Sequence, residues 1–198
     1  MIGGLILAAG AGRRFGGPKQ LATIDGESLV ERAVRQMTAA GGLDEIVLVL
    51  GAAAEQITQG DRSLRGARIV VCADWAEGQA ASLRCGIAAL GAVEAVVVTL
   101  ADQPLVGTAA IERVLGARRA GSAAVRATYG GVAGHPVLLE SRILPDVLEL
   151  RGDVGARAVL KGEDVAEIAC DDVGAPQDVD TPADLAAVRA AQGVPGGS

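Results

Sequence analysis

Aromatic residues are nearly absent from this chain. Phe15, Trp75 and Tyr129 are the only three in 198 residues, so the core has to be built from Ala, Val, Leu and Ile. A basic excess is missing too. The net charge is −6, and a nucleic-acid binder ordinarily carries the opposite balance. Cysteine is scarce. Cys72, Cys85 and Cys170 stand alone without metal-ligand spacing, which reads as buried thiols in a reducing compartment. No basic segment followed by a long apolar run opens the chain, so no secretion signal is expected. The longest apolar candidate, residues 92 to 101, contains Glu94 and is far too short to cross a bilayer. These absences together predict a cytoplasmic protein with neither nucleic-acid nor membrane partners. Glycine is plentiful, at 28 residues, but scattered at turns rather than repeated.

What is present is an alternation. Apolar, often β-branched runs at 2–9, 45–50, 68–73, 95–100, 123–127, 136–139 and 165–170 read as strands, several apolar on both faces. Helical patterns lie between them at 28–40, 53–60, 79–91, 108–120, 141–150 and 153–161, with a last helix over 182–192. Ser28 with Glu31 forms a capping box, and Thr181 with Pro182 and Asp184 marks another helix start. The order predicts one domain over residues 1–192, an α/β three-layer sandwich with a mostly parallel sheet. Residues 193–198 are expected to form a disordered tail.

The first strand ends in Ala8-Ala9-Gly10-Ala11-Gly12-Arg13-Arg14-Phe15-Gly16-Gly17-Pro18-Lys19. Glycines let the backbone turn tightly and approach a ligand, and three cations share the loop, which suits a polyphosphate. A Walker loop is excluded, because Pro18 follows Gly17 and Gln20 follows Lys19. A dinucleotide fingerprint is disfavoured by the spacing of Gly10, Gly12 and Gly16, and by the lack of an acid after the second strand, where Gly51-Ala52-Ala53 stands. The segment resembles the signature of sugar-phosphate and cofactor nucleotidyltransferases. That resemblance implies that the loop with Gly10 and Gly12 wraps the triphosphate of an NTP, that Arg14 and Lys19 hold its phosphates, and that the backbone of Ala8 and Ala9 sits against the base.

Further along, Asp102 in Asp102-Gln103-Pro104 ends an apolar strand, where open parallel sheets bind ligands. A carboxylate beside a triphosphate calls for a bridging cation, and Mg²⁺ fills that role with one or two carboxylates. Asp180 is the candidate second ligand, though helix-start chemistry also accounts for it, and Asp184 reads as a cap. Ser82 follows a loop glycine, Gly78, on a predicted helix. Gly134-His135-Pro136 holds the sole histidine. Asp153 can cap a helix that carries Arg157 one turn on.

In order and over residues 5 to 185, these stretches resemble the molybdenum cofactor cytidylyltransferases of the MobA-like NTP transferase group. The resemblance implies a GT-A-like, Rossmann-like architecture, Gly78 and Ser82 at the base, and Asp102 on Mg²⁺. It also implies Gly134, His135, Pro136, Asp153 and Arg157 in a pterin-side pocket. The substrates it implies are CTP and molybdopterin, with a molybdoenzyme as a transient partner. Guanylyl-transferring relatives tend to carry Ala-Gly-Gly in the loop. The Cβ of Ala9 narrows the space beside the base and favours a pyrimidine. Phe15 and Gln79 stand where the family often has Met. Two rival readings stay open, a non-catalytic cofactor chaperone and a transferase for another phosphorylated acceptor.

Overall fold

In the computed structural model, which describes residues 1–60 and 63–192, seven strands form one sheet. They are β1 (Ile2–Ala8), β4 (Glu45–Leu50), β5 (Arg68–Val71), β6 (Ala95–Leu100), β7 (Ala124–Tyr129), β8 (Val132–Glu140) and β9 (Val165–Ala169). Two short strands, β2 (Thr23–Ile24) and β3 (Glu27–Ser28), pair apart from it. The large sheet has the order β5-β4-β1-β6-β8-β7-β9. All its strands run one way except β8, which is antiparallel to both neighbours. The expected mostly parallel α/β sandwich is therefore observed.

Among the described residues, six α-helices complete the fold: α1 (Leu29–Ala39), α2 (Ala54–Thr58), α3 (Gln79–Leu90), α4 (Thr108–Gly116), α5 (Leu144–Leu148) and α6 (Pro182–Gln192). Alternation along β1 sorts them into layers. Ile6 and Ala8 pack with Val30, Val34, Met37, Ile57, Ile111 and Val114, from α1, α2 and α4. Leu5 and Leu7 point the other way, onto Leu83, Ile87, Leu144 and Val147 of α3 and α5. Each fully buried aliphatic side chain contributes roughly 1.5–3 kcal/mol, so a core with few rings is adequate at this size. Helix α3 lies close on β1: a Cβ at Gly86 would sit 2.2 Å from Leu5 Cδ1. A smaller third cluster joins Ile24 and Leu29 to Val179 and to Leu185 and Val188 of α6.

Both predicted helix starts form. Ser28 Oγ accepts from Glu31 N while Glu31 Oε2 accepts from Ser28 N, closing the capping box. Asp184 Oδ2 accepts from Thr181 N and Asp180 N, at 2.7 and 3.1 Å.

Elsewhere the elements differ from expectation. The helix predicted over 153–161 is a single 3-10 turn, Ala156–Ala158, because Gly155 is extended before it and packs on Gln79. The helix predicted over 141–150 is a 3-10 turn, Ser141–Ile143, followed by α5 with Pro145 in its first turn. The β2–β3 hairpin turns on Asp25 and Gly26, both at positive φ, as an Asp-Gly turn of this hand requires. Residues 193–198, expected as a tail, lie outside the described residues.

Candidate active site

The segment after β1 is held by its carbonyls. Ala8 O and Gly10 O accept from Gln20 Nε2, at 2.9 and 2.7 Å, and Ala9 O accepts from Ala52 N at 3.1 Å. Gly12, at φ +62°, accepts from the N–H groups of Phe15, Gly16 and Gly17. A Cβ on Gly12 would lie 2.0 Å from Gly17 O, so only glycine fits there. Among the described residues, the N–H groups of Ala11, Gly12, Arg13 and Arg14 donate to no protein acceptor. Successive free N–H groups beside cations form an anion-binding concavity. The free donors are thus residues 11–14; the N–H groups of 15–17 are turned inward. The loop lines a cavity of about 200 Å³ with Ala8, Gly10, Gly12, Arg14, Lys19, Gln20, Asp102 and Asp180.

The acids come to this cavity from two directions. Asp102 follows β6, and Val179 N donates to Asp102 O at 2.8 Å, which draws the 178–180 segment alongside. Lys19 Nζ then lies between the two carboxylates, 2.6 Å from Asp102 Oδ2 and 2.8 Å from Asp180 Oδ1. Arg14 reaches Asp180 Oδ2 at 2.8 Å. Burial opposes the charge on Lys19, but Asp102 and Asp180 outweigh it and hold its pKa above the ordinary value. Asp102 Oδ1 is buried without a hydrogen-bond partner. That orphaned oxygen, and the seating of an ammonium between two carboxylates, fit a small divalent cation. No group of three or more His, Cys, Asp or Glu among the described residues could enclose one. The remaining ligands must come from substrate oxygens and water, as is usual for Mg²⁺.

A second cavity of about 620 Å³ adjoins the first, with Leu7 lining both. Leu83, Val98, Leu100, Val137 and Leu160 give it apolar walls, and its polar groups include Gln103, Arg126, His135, Asp153, Arg157 and Asp178. The pairing of β7 with β8 explains how His135 reaches it. Arg126 opposes Val137 and Thr128 opposes Ala133, so only Ala127 faces Gly134, His135 and Pro136. The two extra residues bulge out of β8, and bulges re-aim side chains next to active sites. The His135–Pro136 peptide is cis, and Tyr129 Oη donates to His135 O at 2.9 Å. Burial lowers the His135 pKa to about 4, against a smaller upward pull from Asp102, so the imidazole is neutral at pH 7. Burial raises the Asp178 pKa, aided by the charges of Asp102 and Asp180 and opposed by the hydrogen bond from Gln103 Nε2 at 2.8 Å.

Most residues singled out in the sequence gather here, but not all. Gly134, His135, Asp153 and Arg157 line the larger cavity, whereas Pro136 is buried behind it. Asp153 caps a different helix from the one expected: its Oδ1 accepts from Gln79 N at 3.3 Å, at the start of α3. Gly78 and Ser82 line neither cavity. Gly78, at φ +119°, lets the chain pass against Gly152, 2.6 Å from where a Cβ would sit. Ser82 is 5% exposed within α3. Gln20, Gln103, Arg126 and Asp178 were not singled out. Gln103 and Asp178 flank motif acids, a usable signal; Gln20 and Arg126 carry none.

Residues 4–169 match the MobA-like NTP transferase domain. A protein named nicotine blue oxidoreductase, from Paenarthrobacter nicotinovorans, is 37% identical over 191 residues, covering 91% of this chain and 92% of that protein. The crystal structure of Rv0371c from Mycobacterium tuberculosis H37Rv superposes with a TM-score of 0.82 at 30% identity, covering 96% of this chain and 97% of that one. The same protein in a complex with manganese gives 0.79 at 29% identity, over 98% and 99% of the two chains. The chain belongs to the MobA-like NTP transferase family, a family of nucleotidyltransferases.

Proposed function

From this membership, we propose that the protein transfers CMP from CTP to the terminal phosphate of molybdopterin, releasing pyrophosphate and forming a cytosine dinucleotide. The observation that carries the reading is the meeting of Lys19, Asp102 and Asp180 beside free N–H donors, at the border of a larger cavity. One cavity suits a triphosphate. The other is large and half apolar, as a fused-ring acceptor requires.

A phosphate oxygen of the acceptor forms a bond to the α-phosphorus, and the bond from that phosphorus to the bridging oxygen of the pyrophosphate breaks. A phosphate monoester has a second pKa of about 6 and needs no general base at neutral pH. The task left to the protein is positioning and charge stabilisation. Lys19, Arg14 and the N–H groups of residues 11–14 hold the phosphates and the charge that develops on pyrophosphate. Asp102 and Asp180 would hold Mg²⁺, which when bound neutralises phosphate charge. Arg157 and His135 orient the acceptor; the choice of cytosine over guanine rests on the Ala8-Ala9-Gly10 loop sequence, since Ala9 itself is buried and lines neither cavity. The neutral His135 donates or accepts a hydrogen bond there without adding charge.

A second reading has the name of the 37%-identical relative behind it: redox chemistry on a planar substrate in the larger cavity. One experiment separates the two. Purified protein is given molybdopterin with each of the four NTPs and Mg²⁺, and products are read by mass spectrometry. In parallel, oxidation of reduced nicotinamide dinucleotides is followed with a planar quinoid acceptor. A cytosine dinucleotide from CTP alone is the expected result. A guanine product overturns the base choice read from that loop sequence, and nicotinamide oxidation without any dinucleotide product moves the chemistry to the second reading.

A further inference from the structure

The side chain of Gln20 is 3% exposed, yet it lines the smaller cavity and reaches back across the neck of the loop. Its amide nitrogen donates to Ala8 O and Gly10 O, one on each side of Ala9. Both hydrogens are used, and this fixes which end of the amide is nitrogen. Its Oε1 is left buried without a partner. An unpartnered buried carbonyl is unfavourable, so packing alone does not account for a glutamine here. A leucine would fill similar space without that penalty.

The backbone supplies the reason. Peptide groups have two polar ends, and in a tight loop the direction of each carbonyl sets the direction of the following N–H. With the carbonyls of Ala8 and Gly10 on Gln20 and that of Ala9 on Ala52 N, each is turned into the protein. The peptide that carries Gly10 O also carries the N–H of Ala11, the first of the four loop donors without a protein acceptor; those of residues 12–14 follow it, with Gly12 O held separately by the N–H groups of residues 15–17. Gln20 also belongs to the same 3-10 turn as Lys19, Lys19–Leu21, so the tie fixes the base from which the lysine extends.

We infer that Gln20 is a positioning residue for the nucleotide: it ties the loop neck by the carbonyls of Ala8 and Gly10, and through the Gly10–Ala11 peptide it keeps the first of the free donors, Ala11 N–H, and with it the entry into the 11–14 loop, turned toward the phosphates. The inference rests on the phosphate-loop reading above, and it adds a requirement that reading does not contain. Removing the two donors leaves the loop in place but no longer pre-organised. A carboxylate at the same position opposes the two carbonyls directly, so it is the worse substitution.

The test compares wild type with Gln20→Leu and Gln20→Glu. Hydrogen exchange over residues 10–18 reads the tie without any substrate. Calorimetric titration with CTP, beside GTP, ATP and UTP, and separately with molybdopterin, reads its consequence. The expected result is faster exchange in the loop and CTP affinity lowered about tenfold in Gln20→Leu, further in Gln20→Glu, with molybdopterin affinity changed less than about twofold. Unchanged loop exchange overturns the tie. Equal losses for CTP and molybdopterin overturn the positioning role in favour of a general loss of structure. Wild-type protein that binds none of the four NTPs overturns the phosphate-loop reading beneath, and loop exchange still reports separately on the tie.

Discussion

The two cavities are built by different means. The smaller one is walled by a single loop, its backbone fixed by carbonyl contacts, and by four charged side chains, Arg14, Lys19, Asp102 and Asp180, that neutralise one another. The larger one is assembled from β1, α3, β6, β7, β8, the 153–160 segment and the stretch before α6, and half of it is aliphatic. On the proposed reading, backbone and charge make the first site demanding about what enters it: a polyanion, with a cation to satisfy the acids. Side chains make the second adjustable, since any one of them can change without remaking the wall. A fold of this kind can keep one reaction and exchange its acceptor.

Breaking the first site has the largest expected effect. Asp102→Ala is expected to cut turnover by at least ~100-fold, with the far-ultraviolet circular dichroism unchanged because Lys19 keeps Asp180 as a partner. Near-normal turnover in the folded variant removes Asp102 from the chemistry. Lys19→Ala comes next. It is expected to raise the CTP requirement and slow transfer by about 10–100-fold, and steady-state kinetics against CTP check it. Arg157→Ala addresses the second site. The acceptor KM should rise about tenfold and the CTP KM stay put, as loss of one charged hydrogen bond implies. A shift in the CTP KM alone would place Arg157 on the wrong side of the comparison.

The smallest effect is on stability. His135 has a folded pKa near 4, below its unfolded value near 6.5. Between those values the unfolded chain binds the proton and the folded one does not, so stability is full above about pH 6.5 and is lost as pH falls toward about 4. Thermal midpoints of wild type should fall over that window, and His135→Gln should flatten the decline.

The contrast also explains what could be read from the chain. The first site is contiguous: Gly12, Arg14 and Lys19 lie on one loop, and Asp102 ends a strand that sheet topology brings beside it. Glycine spacing and strand ends are local signals, so both were legible, as were the strands themselves. The second site depends on contacts between segments far apart in sequence. Asp153 sits two residues before an extended glycine, and it caps α3 rather than its own turn, 74 residues away from Gln79. Gly78 carries the mark of a ligand-contacting glycine but serves the approach of Gly152. The β2–β3 hairpin had a signal, Asp25-Gly26, although its strands of two residues are too short to show a period.

Lys19 has one more consequence. Lys19 Nζ rests on Asp102 Oδ2 and Asp180 Oδ1, so a divalent ion held by these acids as proposed, even one on the free Asp102 Oδ1, would meet a like charge a few ångströms away. Phosphates bound in the loop would draw the lysine away. On the proposed mechanism metal and nucleotide are then linked ligands, each expected to tighten the other by the same factor. The expected outcome is that either one binds loosely alone and both bind firmly together, and a Mn²⁺ titration with and without CTP measures that factor.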